Sequence, residues 1–259
     1  MLFQPTMKNY NVSRLTLQYN ILKELYENRI LLAPIRLDAT DAVLDIGTGP
    51  GLWITDLADS VDQSIPMHAV DIESRLFPAS PPENIEFRVE SVTHLPVEWT
   101  STFSLVHQQL LMAALQKTDW VQLGESKSWT QGRYPEKSCM EKLVAMVRSV
   151  GDSRNLYLDC AHGMPKMLAE AGFVEIETES RMQPVGKWAG EAGVEHRINQ
   201  VSVFKGFKTP ILEAGGFGYV RSEKEYDMHV EGAEKEWDEI PGTEKEFFIF
   251  WAKKPLLDL

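Results

Sequence analysis

The chain has 259 residues, 43% of them hydrophobic, enough to bury one sizeable α/β core with a modest insertion and without a second domain. Its 38 acids against 26 bases give a formal charge of −12, which argues against a grip on phosphate backbones and hence against a nucleic-acid substrate. Only Cys139 and Cys160 are present, with no CxxC pair and no clustered histidines, so neither a disulfide framework nor a zinc site is indicated. No apolar run approaches a membrane span and the first residues lack a signal-peptide pattern, so a soluble, cytoplasmic protein with no membrane contact is expected.

In chain order, residues 13–32 place Leu15, Leu22, Leu25 and Ile30 near a 3.6-residue repeat, predicting an amphipathic helix that Pro34 ends. The next run, Val43-Leu44-Asp45-Ile46, breaks into Gly47-Thr48-Gly49-Pro50-Gly51. This reads as a buried strand, a glycine turn and a helix over 52–58. Such a turn lets backbone N–H groups approach a ligand where a Cβ would collide. The spacing GxGxG differs from the GxGxxG of dinucleotide sites, and no Gly-Lys-Ser/Thr phosphate loop follows. A nicotinamide or flavin site and an ordinary tight turn are the alternatives. Asp45 suits a ligand with an ammonium group. Asp71, 20 residues past Gly51, ends a second strand (67–70) where a carboxylate can accept both hydroxyls of a ribose.

Pro78, Pro81 and Pro82 make the following link irregular, and residues 85–89 alternate as a third strand. Residues 103–106 read as a fourth, with His107 at its C-terminal end, where open α/β sheets place ligands. That position makes His107 a candidate for ligand contact or general base, against a purely structural histidine. A short helix over 110–115 then leads to a fifth strand over 120–123, with Glu125 at its mouth. Helices are predicted within 134–150 and over 164–171, the latter closed by Gly172, followed by strands over 173–178 and 247–252. The intervening residues 181–246 are too long for a hairpin loop. They hold Trp188, His196, Phe204, Phe207, Phe217, Tyr219, Tyr226 and Trp237, an aromatic-rich cap suited to an apolar pocket.

The motif Val43-Leu-Asp-Ile-Gly-Thr-Gly-Pro-Gly51 with Asp71 resembles the nucleotide half of class I methyltransferases that use S-adenosylmethionine (SAM). The segments Arg14-Leu-Thr-Leu-Gln-Tyr, Arg29-Ile-Leu-Leu-Ala-Pro-Ile, Pro81-Pro-Glu-Asn-Ile-Glu-Phe, Trp120-Val-Gln-Leu-Gly-Glu, Met164-Pro-Lys-Met-Leu-Ala-Glu-Ala-Gly-Phe and Gly186-Lys-Trp-Ala-Gly-Glu resemble the fungal methyltransferases related to the LaeA regulator and to secondary-metabolite methylation. The resemblance implies a Rossmann-like α/β sheet, mostly parallel with an antiparallel last strand, plus a helical cap. It divides one domain into a leading helical part (1–40), a SAM-binding core (41–180), a cap insertion (181–246) and a last strand with tail (247–259). It implies SAM contacts from Tyr10, Arg14, Asp45, Gly47, Gly49, Gly51, Asp71 and Ile72, and from His107, which is also the catalytic candidate. It further implies cofactor contacts from Ser91 and Val92: where the family places an acid and a backbone N–H against the adenine, this chain has Glu90-Ser91-Val92, so the usual aspartate is absent and Ser91 or Glu90 must substitute.

The implied function is methyl transfer to a small, largely apolar acceptor of secondary metabolism. The rivals are a LaeA-like regulator, which would be nuclear, and a SAM fold with other or no catalysis. One departure is evident. The family has a further helix and a Lys-Pro-Gly-Gly turn before the Trp-Val-Gln-Leu strand, whereas here twelve residues, 108–119, must make the whole crossover. Either a second copy or a protein partner covers the face left short, or the chain is a shortened product with impaired folding.

Overall fold

The computed structural model describes residues 7–111, 124–126, 132 and 134–255. Strands β1 (Val43–Ile46), β2 (Met67–Asp71), β3 (Ile85–Val89) and β4 (Leu105–Gln108) form a parallel sheet of order β3-β2-β1-β4. All four residues of β1 are buried, as a central parallel strand with both faces covered requires. Helix α2 (Leu52–Ser60) sets Trp53, Ile54, Leu57 and Ala58 at helical spacing against Val43, Met67, Ala69 and Ile85. Full burial of an Ile or Leu side chain is worth about 1.5–3 kcal/mol, so this face anchors the helix that follows the glycine turn.

Helix α1 (Met7–Leu25) begins before the expected span and ends well short of Pro34. Glu27 and Asn28 both have φ of 60°, and the Asn28 N–H donates to the Lys23 carbonyl while the Glu27 N–H donates to that of Glu24. These are the 6→1 and 5→2 bonds of a left-handed helix stop, so local backbone chemistry ends α1 before the proline is reached. Leu22 and Tyr26 are buried against Phe247, and the Tyr26 hydroxyl donates to the Phe247 carbonyl at 3.0 Å.

A second, antiparallel sheet has the order β5-β7-β6, with β5 at Gly124–Ser126, β6 at Val174–Pro184 and β7 at Glu244–Lys253. The pairing expected between the last two strands is present. It extends farther than periodicity suggested, to Pro184 opposite Glu244, so both ends of the cap insertion are strand. The expected fifth strand at 120–123 lies outside the described residues. The strand described just after it, β5, pairs antiparallel with β7. Leu110 has φ of 60° and neither it nor Leu111 is helical; the rest of the helix expected at 110–115 lies outside the described residues.

Helix α3 (Cys139–Ser153) starts inside the expected span and ends three residues past it; Ser138 caps its start, its hydroxyl accepting from the Glu141 N–H. Helix α4 (Cys160–Glu170) starts four residues before Met164 and is closed as expected beside Gly172, whose φ is 87°. The cap holds α5 (Gly190–Glu213) and α6 (Glu223–Glu239), which enclose a core with α3. Phe204, Tyr226 and Trp237 are fully buried there, so much of the aromatic content of the cap is its own interior.

Candidate active site

Gly47, Gly49 and Gly51 all adopt positive φ, at 68°, 54° and 74°. A Cβ on Gly51 would lie 2.5 Å from the Phe87 ring and one on Gly47 2.8 Å from Leu111, so close packing as well as backbone sign demands glycine. Three of the turn's amides are engaged within the protein, two of them with β2. Thr48 N–H donates to the Val70 carbonyl, Gly51 N–H to the Thr48 carbonyl, and Gly49 N–H to Asp71 Oδ2 at 2.9 Å. These three amides are therefore not free for a ligand, the glycines allow close approach, and one amide fixes Asp71.

Asp45 is 3% exposed, and both of its oxygens are engaged. Thr48 Oγ1 donates to Oδ2 at 2.6 Å, and His107 Nδ1 lies 2.7 Å from Oδ1. The partners are 62 residues apart in sequence and become neighbours because β1 and β4 pair Asp45 with His107 in register. A carboxylate facing Nδ1 places the ring proton there and leaves Nε2 as an acceptor. Trp53 stacks on the imidazole at 3.6 Å and 8°, and its indole N–H donates to the Ile30 carbonyl at 3.0 Å. The ring of His107 is thus fixed on one nitrogen and one face. The sequence placed it just beyond the fourth strand, whereas it lies within β4.

A cavity of about 820 Å³ opens from this point. Asp45, Gly47, Thr48, Gly49, Asp71 and His107 line one side, and Arg14, Leu15, Gln18 and Tyr19 of α1 form its roof. The roof is tied down: the Tyr19 hydroxyl and Lys23 Nζ both donate to Asp56 of α2 at 2.5 Å. Burial, reinforced by Asp56, pushes the Tyr19 phenol well above its ordinary pKa, so it stays a neutral donor. The far side is mostly apolar, with Val147 and Val150 of α3, Phe204 and Phe207 of α5, and Lys245 of β7.

The sequence-predicted residues Arg14, Asp45, Gly47, Gly49, Asp71 and His107 therefore meet at one cavity, and Gly51 begins α2 just behind it. Tyr10 is on α1, but its side chain is outside the described residues, as is that of Glu125. Ile72 is 76% exposed on the rim beyond Asp71. Ser91 caps a short 3-10 turn, and Val92 packs beside Leu44 and Ile46; neither is brought into this cavity. Trp188, held by an indole N–H bond to Val185, and Phe217, packed on the cap core, also lie away from it. Phe207, one of the cap aromatics expected at an apolar pocket, does line the cavity, whereas Thr48, Trp53 and Lys245 were not singled out as ligand contacts. Only Thr48, inside the glycine motif, carried a local signal.

A second cavity, about 680 Å³ and largely apolar, lies between β4 and β7. Leu44, Ile46 and Val106 face Ile249 and Trp251 across it, while Trp53 and His107 line both cavities. It lacks the glycine turn and Asp71.

No protein-family model matches the sequence. The chain is 26% identical to N-methyltransferase gliN of Aspergillus fumigatus over 270 residues, covering 93% of each protein. It is 30% identical to methyltransferase grgD of a Penicillium species over 202 residues, 68% of this chain and 67% of that protein. Among solved structures, phosphoethanolamine N-methyltransferase 2 of Haemonchus contortus, in complex with S-adenosylhomocysteine, superposes with a TM-score of 0.49 at 16% identity, over 93% of this chain and 53% of that one. With the glycine turn, Asp45, Asp71 and the two fungal relatives together, the chain belongs to the class I SAM-dependent methyltransferases, in the group of the fungal enzymes gliN and grgD.

Proposed function

We propose that this protein transfers the methyl group of SAM to a small, largely apolar acceptor held between the glycine turn and the cap. The observation that supports this most is the shared cavity, where the Asp45–His107 pair and Asp71 face apolar side chains of α3 and α5. The residues suit the cofactor: Asp71, already steadied by Gly49 N–H, keeps lone pairs for ribose hydroxyls, and exposed Ile72 offers an apolar face to the adenine. Arg14 and Tyr10 are assigned to the carboxylate end, and the absence of Cβ atoms at Gly47 and Gly49 lets the methionine part lie against the backbone. When bound, SAM supplies a sulfonium methyl, so an acceptor lone pair forms the new bond to carbon as the C–S pair returns to sulfur.

The protein then has two tasks. It must hold the acceptor atom in line at near-attack distance, which the apolar wall does. It must also receive the acceptor's proton, which His107 Nε2 can do because Asp45 stabilises the resulting imidazolium through Nδ1. The similarity to an N-methyltransferase favours nitrogen as the acceptor atom. Asp45 is assigned a positioning role toward His107 rather than direct contact with the ammonium group, since both its oxygens are engaged.

The test is calorimetry with SAM and S-adenosylhomocysteine, followed by incubation of pooled metabolites with methyl-labelled SAM. Binding of both with label transferred to a small molecule is the expected result. Absence of cofactor binding would refute the assignment, and binding without transfer to any acceptor would favour a regulatory SAM fold.

A further inference from the structure

The second cavity, about 680 Å³ between β4 and β7, falls in the size range of small-molecule sites, roughly 300–1,000 Å³. Protein interiors are close-packed and leave few voids larger than a water molecule, so a space of this size is too large for a packing defect. It meets the first cavity along a common wall, since Tyr19, Leu22, Trp53, His107 and Gln109 line both. Within that wall the imidazole of His107 is held by Asp45 through Nδ1 and by Trp53 on one face.

The lining sets the chemistry of what can enter. Leu95, Trp99 and Phe103, with Ile249 and Trp251 of β7, offer aliphatic and aromatic contacts. No acid is among the described lining residues. Of the cations, Lys23 is tied to Asp56, Arg29 to Glu179, and Lys254 is exposed. Neither a cation nor an anion therefore gains a partner inside, which favours a neutral guest. One donor is unmet. Gln108 of β4, next to His107 in the chain, is 6% exposed, lines this cavity and not the first, and its amide nitrogen has no hydrogen-bond partner. A buried amide donor normally has one, and an oxygen on a bound molecule would supply it.

We infer that the second cavity receives the apolar body of the methyl acceptor, with Gln108 donating to a neutral oxygen on it, while the reacting atom stands at His107 in the common wall. The inference rests on the reading of the first cavity as the methyl-transfer site and extends the acceptor beyond it. It names the acceptor class: a neutral aromatic or polycyclic molecule with a ketone, amide or ether oxygen on the part away from the atom methylated. Binding energy from that remote part then serves to hold the reacting atom in line with the methyl. A site built to hydrogen-bond an oxygen also rejects the analogue that lacks it, because the buried donor is left unpaired.

The test uses the full chain saturated with S-adenosylhomocysteine and two probes of nearly one shape, 2-acetylnaphthalene and 2-isopropenylnaphthalene, in equilibrium dialysis. The ketone should bind, and Gln108→Leu, which keeps the volume and removes the donor, should shift the ketone-to-hydrocarbon affinity ratio at least fivefold toward the hydrocarbon. Ile249→Trp, which fills the second cavity, should abolish binding of both probes and the transfer of label from SAM to pooled metabolites, with S-adenosylhomocysteine affinity unchanged within twofold. If Ile249→Trp fails to fold, Val106→Phe on the opposite wall should weaken both probes at least fivefold. No binding of the ketone by the unmodified protein, a ratio unmoved by Gln108→Leu, or probe binding and methyl transfer that persist in the filled variants overturns the inference while leaving the cofactor site standing. Failure of S-adenosylhomocysteine itself to bind the unmodified protein would instead sink the methyltransferase reading.

Discussion

The two halves of the molecule build their shares of the cavity differently. In the β1–β4 half, the glycine turn, Asp45, Asp71 and the start of α2 come from one short stretch of chain, and His107 joins them by strand register. In the cap half, Val147, Phe204, Phe207 and Lys245 come from three elements and meet because α3, α5 and α6 share a core and α5 packs on β6, the partner of β7. A cofactor common to many enzymes can be held by a contiguous motif. The wall proposed to hold the acceptor is assembled from residues with no local signature.

The sharpest way to break this comparison is at the joint of the cap. Gly186 has φ of 121°, and a Cβ there would lie 2.0 Å from the Trp237 carbonyl oxygen; one on Gly193 would lie 2.2 Å from the Gly186 carbonyl. Neither backbone can give way cheaply, so Gly186→Ala should destabilise by about 3 kcal/mol or more, read from the urea midpoint. By contrast, a Cβ on Gly49 would meet only Leu15 at 3.9 Å. A small stability loss for Gly186→Ala would mean that the cap is not locked to β6 at this point.

Next in size is Asp45→Asn. An amide facing Nδ1 can donate to it and move the ring proton to Nε2, where it blocks proton acceptance. Turnover should fall roughly 100-fold while the melting temperature changes little. Undiminished turnover would leave His107 as a structural residue. Asp71→Ala should weaken SAM binding by about 1.5–3 kcal/mol, the scale of hydrogen bonds to a charged group, because it removes the assigned ribose acceptor and releases Gly49 N–H. Unaltered affinity in calorimetry would take Asp71 out of the site.

On the cap side, Phe207→Ala should raise the KM for the acceptor about fivefold, on the order of 1 kcal/mol for a half-buried ring, with S-adenosylhomocysteine affinity retained. Equal losses of both would erase the division of labour between the halves.

The smallest expected effect is on the pH dependence of stability. Burial lowers the pKa of His196 below the ordinary 6.5, against the opposing effect of its hydrogen bond to the Pro184 carbonyl. The unfolded chain then binds the proton first, so the contribution is full above about pH 7 and is lost as pH falls through 6.5 toward the lower folded value. Burial lowers His68 and His229 in the same direction. His196→Gln should flatten the decline in urea midpoint between pH 7 and 5; an unchanged profile would assign it to the other two.

The glycine turn, the strands at 43–46, 67–70 and 85–89, the helix at 52–58 and the antiparallel pairing of the last two strands were all legible in the sequence. Each rests on contiguous signals, apolar runs and glycine spacing, that physics reads locally. So was the clustering of Asp45, Asp71 and His107, because strand ends of a parallel sheet converge on one edge, while Arg14 of α1 was placed with them by the family resemblance. The end of α1 was not, since two residues in the left-handed region at Glu27 and Asn28 overrode a proline that looked decisive. Nor was the engagement of Asp45 by Thr48 and His107, which depends on register across 62 residues. The tertiary structure alone decided which cap aromatics face the cavity. Periodicity marks Phe204, Phe207, Phe217 and Trp188 alike as apolar, and only the angle at which α5 packs on β6 and β7 turns the first two, with Lys245, toward the site.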